Sequence, residues 1–376
     1  MIILLSIFIL TALFYFYFIL NVSRGLSRLV YSKATGIAEE FVTVIIPFRN
    51  ESCSILESLK SITNQSYPAD KYEVIYVNDL SEDDSLMKIE TSKRPPNIRV
   101  ISVPEAEELR AHKKRAIQYA IEQAKGEIIV TTDCDCTHGR DWLKSLLSIY
   151  DRNTAFVSGP VRFVHRNSLF SRLQSLEFGG LILTGAGLIG LKQPVTCSAA
   201  CLSYRKSVFM EIGGFKDNMN LSSGDDELIM QKIARETEYD VKFNLNKDCV
   251  VSTVPNENHK QFINQRRRWA SKGLFYDDKM LIVKLFLIFI FYVTLPLQIL
   301  QGIFVSNIYL LSFGIIFIIK IIAEYQVLKN GAGLLYEKKL LRLLFIAELF
   351  QIPYIIIAGF MGVLGNYSWK NRNVGR

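Results

Sequence analysis

Residues 2–20 contain no charged side chain, and about 20 apolar residues suffice to cross a bilayer as one helix. No basic segment precedes this run and no small-residue cleavage pattern comes after it, so 1–22 reads as an uncleaved transmembrane anchor. Arg24, Arg28 and Lys33 come directly after it and, by the positive-inside rule, place the adjoining middle of the chain in the cytoplasm. A second apolar region, 281–364, reads as about three helices, with runs at 281–302, 307–322 and 343–364. The first two join at Ser306, and the polar stretch 324–342 carries Lys329, Lys338, Lys339 and Arg342. One anchor plus three spans would put the tail, 365–376, outside. That tail is basic and carries Trp369, a pattern that prefers the inside. A late segment that is re-entrant or interfacial would remove the conflict, and the span count stays open.

Between these ends lies a soluble middle, 41–279. The chain as a whole is 49% hydrophobic and 21% charged with net charge +8, which excludes a disordered chain, a collagen-like repeat and a disulfide scaffold. The basic excess sits beside the spans and in the tail, where anionic lipid accounts for it better than nucleic acid. All six cysteines fall in the middle region without a CxxC pair, so disulfides and structural zinc are not expected in a reduced compartment.

The middle alternates short apolar runs with helical patterns: strands at 42–47, 72–77, 98–103 and 127–132, helices at 54–65, 82–92 and 113–124. Such alternation predicts an α/β unit with a mainly parallel sheet, and ligands of such sheets bind beyond the carboxyl ends of the strands. Acidic residues stand at three of those ends: Glu51 after the first strand, Asp79 and the loop 81–84 after the second, Asp133 and Asp135 after the fourth. Asp79 or Asp84 alone reads as a helix cap; three junctions on one edge read as a site. Two carboxylates one residue apart can both reach Mg²⁺ or Mn²⁺ if Cys134 turns away, with substrate phosphate completing the shell.

Five ordered segments carry a resemblance. VTVIIPFRNE, EVIYVNDLSEDDS, HKKRAIQYAIEQAKGEIIVTTDCDC, SGDDELIMQKI and QRRRWASKG resemble the membrane-bound inverting glycosyltransferases of family 2, the group of the cellulose, chitin and hyaluronan synthases and of ceramide glucosyltransferase. The resemblance implies a GT-A fold and a nucleotide-sugar donor, with UDP expected. It implies a uridine pocket lined by Pro47, Arg49, Glu51 and Asp79, with Lys113 near the nucleotide. Asp133 and Asp135 would hold the metal and diphosphate, and Asp226 would be the general base. Asp225, Gln265, Arg268 and Trp269 would close over the diphosphate and the acceptor. The second-strand motif reads Asn-Asp-Leu where the family often has Asp-Asp-Gly, a departure that bears on loop shape.

Several other signals carry less. Gly185 to Gly190 matches GxGxxG, but it sits in an apolar stretch with no acidic residue some 20 positions on, so it reads as a membrane-interface helix beside the acceptor site. His138 reads as a solvated loop residue, Cys197 and Cys201 as core or pocket lining, and Arg266 and Arg267 as an interfacial anchor. Asp225 and Glu227 flank the base as like charges that could raise its pKa. Glu348 is the clearest charge within the late spans, which look thin for a polymer channel. The leading expectation is single transfer to a lipid or lipid-linked hydroxyl at the cell membrane. Polysaccharide synthesis is the alternative within the class; a non-catalytic membrane subunit is the alternative outside it.

Overall fold

The computed structural model describes residues 1–29, 40–105, 112–164, 167–219, 224–364, 367–369 and 372–374. Lys33, His165 and parts of the basic tail (Lys370, Asn371, Arg376) lie outside them. The chain opens with α1 (Ile2–Leu29), longer than the 22 residues read from the apolar run because nothing in Asn21–Arg28 breaks a helix.

Four parallel strands build the first half of the middle region: β1 (Val42–Phe48), β2 (Tyr72–Asn78), β3 (Ile98–Ser102) and β4 (Ile128–Thr131). The helices between them are α2 (Ile55–Thr63), α3 (Ser85–Thr91) and α4 (His112–Gln123). Every residue of β1, β2 and β4 is buried, the burial pattern of strands covered on both faces.

Beyond β4 come β5 (Thr137–His138), α5 (Trp142–Leu147), β6 (Thr154–Ser158), β7 (Val161–Phe163), the long α6 (Leu169–Gly190), β8 (Leu202–Arg205), α7 (Lys206–Glu211), α8 (Glu227–Glu236), β9 (Asp240–Phe243) and β10 (Val251–Thr253). The main sheet has the order β3-β2-β1-β4-β8-β6-β9, and β8 alone runs against its neighbours. A small second sheet, β5-β10-β7, ties the segment after β4 to the segment that leads into α9 (His259–Ala270).

Three apolar helices come next, α10 (Lys279–Phe304), α11 (Ile308–Leu328) and α12 (Leu344–Leu364), and a short antiparallel pair, β11 (Tyr367–Trp369) and β12 (Arg372–Val374), follows them. Among the described residues, five helices are long and apolar enough to cross a membrane: α1, α6, α10, and those at 308–331 and 338–362. α11 does not stop where the apolar run ends at 322. It continues to Leu328 and buries Lys320 and Glu324, which pair with each other at 2.5 Å. Lys320 also contacts Glu348, and donates to Gln351 at 2.8 Å. Among the described residues, the late helices therefore bury Lys320 and Glu324 as well as Glu348.

The glycines of 185–190 are a helix crossing. A Cβ on Gly187 would lie 2.4 Å from the Val22 carbonyl oxygen of α1, and one on Gly190 would lie 2.3 Å from that of Gly25. Small residues at this spacing let two helix backbones approach, and α6 lies along α1 for that reason.

Candidate active site

Strand ends position the first half of the site. β1 and β2 run in register from Val42–Tyr72 to Phe48–Asn78, so their loops emerge side by side. Arg49 donates to the Asp79 carbonyl at 3.1 Å and pairs with Glu82 at 2.6 Å. The Ser52 amide donates to Asp83 at 3.1 Å and the Glu82 amide to Asn50 at 2.9 Å. The acidic loop 81–84 thus stitches two turns together, leaving Asp79 buried at the strand end. Leu80, where the family pattern has glycine, takes φ 55°, a left-handed conformation that costs a branched side chain about 1–2 kcal/mol.

Asp133 and Asp135 come after β4, with Cys134 between them packed in the core. One oxygen of each carboxylate and the Cys136 sulfur all lie within 4.8 Å of one another. Two carboxylates with room for phosphate and water suit Mg²⁺ or Mn²⁺. Cys136 is a poor third ligand for such hard cations, which select oxygen over sulfur.

The acidic run at the start of α8 is matched by lysines. Lys113, on α4, bridges Asp133 at 2.7 Å and Asp225 at 2.9 Å. Burial alone would raise the Asp225 carboxyl, but Lys113 outweighs it and holds the carboxyl below its usual range. Asp226 caps α8: it accepts from the Glu227 amide at 2.8 Å and from the Ala199 amide at 3.2 Å. Lys272 lies 3.8 Å from Asp226 and 3.1 Å from Glu227. Glu227, raised chiefly by burial, also accepts from the Tyr276 hydroxyl at 2.9 Å. Each acid flanking Asp226 thus has a lysine beside it, Lys113 for Asp225 and Lys272 for Glu227. Lys114 is fully buried beside this cluster, and burial brings it down to about 8.

Helix α9 closes the site. Gln265 accepts from Asn256 at 2.9 Å, and Arg268 and Trp269 face the same cavity. Arg266 is not an interfacial anchor. It is buried, paired with Glu177 of α6, and lies over the rings of Phe262 at 4.5 Å and Trp269 at 4.3 Å. The partner that decides this, Glu177, is 89 positions away, out of reach of local reading. His138 is likewise no solvated loop residue. Its Nε2 is hydrogen-bonded with the Thr132 hydroxyl at 2.8 Å and its Nδ1 with the Ser61 hydroxyl at 3.0 Å. Burial lowers this imidazole to about 3.

All twelve residues expected from sequence (Pro47, Arg49, Glu51, Asp79, Lys113, Asp133, Asp135, Asp225, Asp226, Gln265, Arg268 and Trp269) line one cavity of about 400 Å³. Sequence reading missed Lys272 and Tyr276, which line it too; their spacing of four from Arg268 and from each other was the available signal. A second cavity of about 1690 Å³ lies among α1, α6, α9, α10, α11 and α12. Leu181, Thr196, Trp269 and Tyr276 line both.

Residues 43–213 match the family model described as Glycosyl transferase family 2. Within those residues the chain carries a family 2 glycosyltransferase domain. The chain is 27% identical over 187 residues to glycosyltransferase AglE of Haloferax volcanii, covering 49% of this chain and 59% of that one. It is 24% identical over 281 residues to the poly-beta-1,6-N-acetyl-D-glucosamine synthase of Staphylococcus epidermidis, covering 72% and 63%. It is 30% identical over 149 residues to an undecaprenyl-phosphate 4-deoxy-4-formamido-L-arabinose transferase of Edwardsiella ictaluri, covering 39% and 45%. In each case the match spans less than two thirds of the relative's length. Among solved structures, a mannosyltransferase from Pyrobaculum calidifontis in complex with GDP-Man and Mn²⁺ superposes with TM-score 0.58 at 19% identity, over 95% of this chain and 99% of that one. The shared architecture is the GT-A-like α/β fold with a mostly parallel sheet.

Proposed function

We propose that this chain is a membrane-bound inverting glycosyltransferase that moves a sugar from a nucleotide sugar, UDP-linked in the leading version, to the hydroxyl of a lipid or lipid-linked acceptor. One observation carries the reading: the small polar cavity with its acids and cations shares four wall residues with a large, mainly apolar cavity among the membrane helices. A donor fits the first and an amphiphile the second, with the reacting atoms meeting at Trp269 and Tyr276. Arg24 and Arg28 at the end of α1 support a cytoplasmic position for the domain at the cell membrane, by the positive-inside rule.

The chemistry is an in-line displacement at the anomeric carbon. Asp226 takes the acceptor hydroxyl proton as the new C–O bond forms and the bond to the diphosphate oxygen breaks. Its carboxylate is aimed by the Ala199 and Glu227 amides, and each oxygen keeps a lone pair for the acceptor. The departing electron pair goes to the diphosphate, which Arg268 and Lys113 face as cations. A divalent cation held by Asp133 and Asp135 would neutralise diphosphate charge. Arg49 acts through the loop it holds, fixing Asp79 where a base or ribose would lie.

A second reading, extension of a polysaccharide, has its own support. The membrane end of the large cavity carries Tyr15, Tyr292, Glu324, Glu348 and Gln351, polar groups that an alkyl chain has no use for. Similarity to the Staphylococcus synthase covers more of this chain than that to AglE.

Membranes containing the protein, incubated with labelled UDP- and GDP-sugars and Mn²⁺, test both. The Asp226→Asn variant is expected to lose about 10²–10⁴-fold in transfer while inserting normally. Asp226-dependent label in the organic phase supports the lipid acceptor; label in ethanol-insoluble polymer supports the second reading. Unchanged transfer by Asp226→Asn would remove the assigned base, and no transfer by the unaltered protein with any donor would favour a non-catalytic subunit.

A further inference from the structure

We infer that α12 does not cross the membrane but lies in the leaflet nearest the catalytic domain, so that three helices, α1, α10 and α11, span and the residues after α12 sit on the catalytic side. The inference rests on the proposed membrane placement of the chain, not on the transfer reaction.

A spanning helix must carry its two ends about 30 Å apart, one to each face of the hydrocarbon. α12 has 21 residues, enough for about 30 Å at 1.5 Å per residue, so length alone permits a crossing. Its contacts do not. The segment that feeds it, Lys338–Leu343, packs on α6. At its middle the Tyr354 hydroxyl donates to Glu177 of α6 at 2.8 Å, and the Tyr354 ring meets Phe262 of α9 edge-on at 5.3 Å. Near its end a Cβ on Gly362 would lie 2.8 Å from the Ala270 Cβ of α9. Both α6 and α9 line the nucleotide-side cavity through Leu181 and Trp269. Entry, middle and exit of α12 are thus all held by elements of one side.

The surface of α12 agrees. Leu344, Glu348 and Ala358 are buried, while Phe345, Leu349, Phe350, Ile357 and Phe360 are exposed. With Ile346 and Pro353, which are exposed too, these positions recur every three to four residues, which is one helical face. A purely apolar face beside the exposed faces of α10 and α11 fits lipid acyl chains. The arrangement also removes the charge conflict of the sequence: with three spans, the basic tail falls on the side where basic residues accumulate.

Impermeant maleimide labelling of intact cells or spheroplasts, against opened membranes, tests this without any assay of transfer. Native Cys53 is exposed in the catalytic domain and reports that domain's side. In a Cys53→Ser background, Asn373→Cys reports the segment after α12, and Ser306→Cys reports the turn between α10 and α11. Asn373→Cys is expected to behave like Cys53, and Ser306→Cys in the opposite way. Asn373→Cys labelling with Ser306→Cys would overturn the inference, as would Ser306→Cys labelling with Cys53. A spin label on Leu349→Cys adds a readout that a misfolded tail would not mimic: relaxation by oxygen is expected, and relaxation by an aqueous nickel complex would refute the lipid-facing assignment. Recovery of the protein in the soluble fraction would instead sink the membrane reading itself.

Discussion

Leu80 holds a conformation that glycine adopts freely, φ 55°, and it does so one residue after buried Asp79. Its neighbours over-determine the turn: the Arg49 guanidinium reaches the Leu80 carbonyl, and the Ser81 amide donates to Asn78 at 2.9 Å. Leu80→Gly is expected to raise stability by about 0.5–1 kcal/mol, the relief of the left-handed strain less the added chain entropy. Thermal unfolding in detergent reads it. His138 gives a pH prediction. Its folded value of about 3 lies below the ordinary 6.5, so its contribution is full above pH 6.5 and is lost as pH falls toward 3. At pH 5 about 2 kcal/mol of that contribution is gone. His138→Gln should be the less stable protein at pH 7.5 yet lose less between pH 7.5 and 5. An equal loss in both would refute the assignment. At this scale the sequence was informative wherever a strand end named the residue: Asp79, Asp133 and Asp135 are legible because β1, β2 and β4 are. It was silent where a partner is remote. Arg266 looks like a lipid anchor until Glu177 arrives from α6, and His138 looks solvated until Ser61 and Thr132 enclose it.

Among elements, the α1–α6 crossing is the joint on which the membrane anchor meets the catalytic domain. Gly187→Val would place side-chain atoms against the Val22 carbonyl, where a Cβ alone already comes within 2.4 Å. A loss of about 1–3 kcal/mol, or more, is expected from such overpacking. It should be visible as faster proteolysis between the two, whereas Gly139→Val, at a position with nothing within 4 Å, should change little. Unbroken apolar runs revealed strands such as β1, β2 and β4, and a helical period of buried positions such as Ile55, Leu59 and Ile62 revealed the helices between them. The length of α11 was hidden for a physical reason. Glu324 reads as the start of a polar stretch, but four positions after Lys320 it pairs with that lysine and the helix continues.

For the molecule as a whole, the charged cluster between α11 and α12 is a constraint on how the membrane helices assemble. Lys320 is surrounded by Glu324, Glu348 and Gln351, with the Tyr292 ring 5.2 Å from its ammonium. Lys320→Met strands two carboxylates and is expected to cost about 3–5 kcal/mol, whereas replacing Lys320, Glu324 and Glu348 together by apolar residues of similar volume should cost far less. Detergent-resistant yield and thermal stability of the two variants distinguish these outcomes. If the single variant is the milder one, the cluster does not hold the helices together.

The wall between the two cavities has a consequence for how such a chain diversifies. Among the described residues, Leu181, Thr196, Trp269 and Tyr276 face both chambers, so nearly every other residue that lines one is out of touch with the other. Substitutions on the membrane side can accumulate without disturbing the acids and cations of the smaller chamber. Under the proposed function, a lineage built on this plan can exchange one acceptor for another while its donor chemistry stands still, and the four shared residues are where that independence ends.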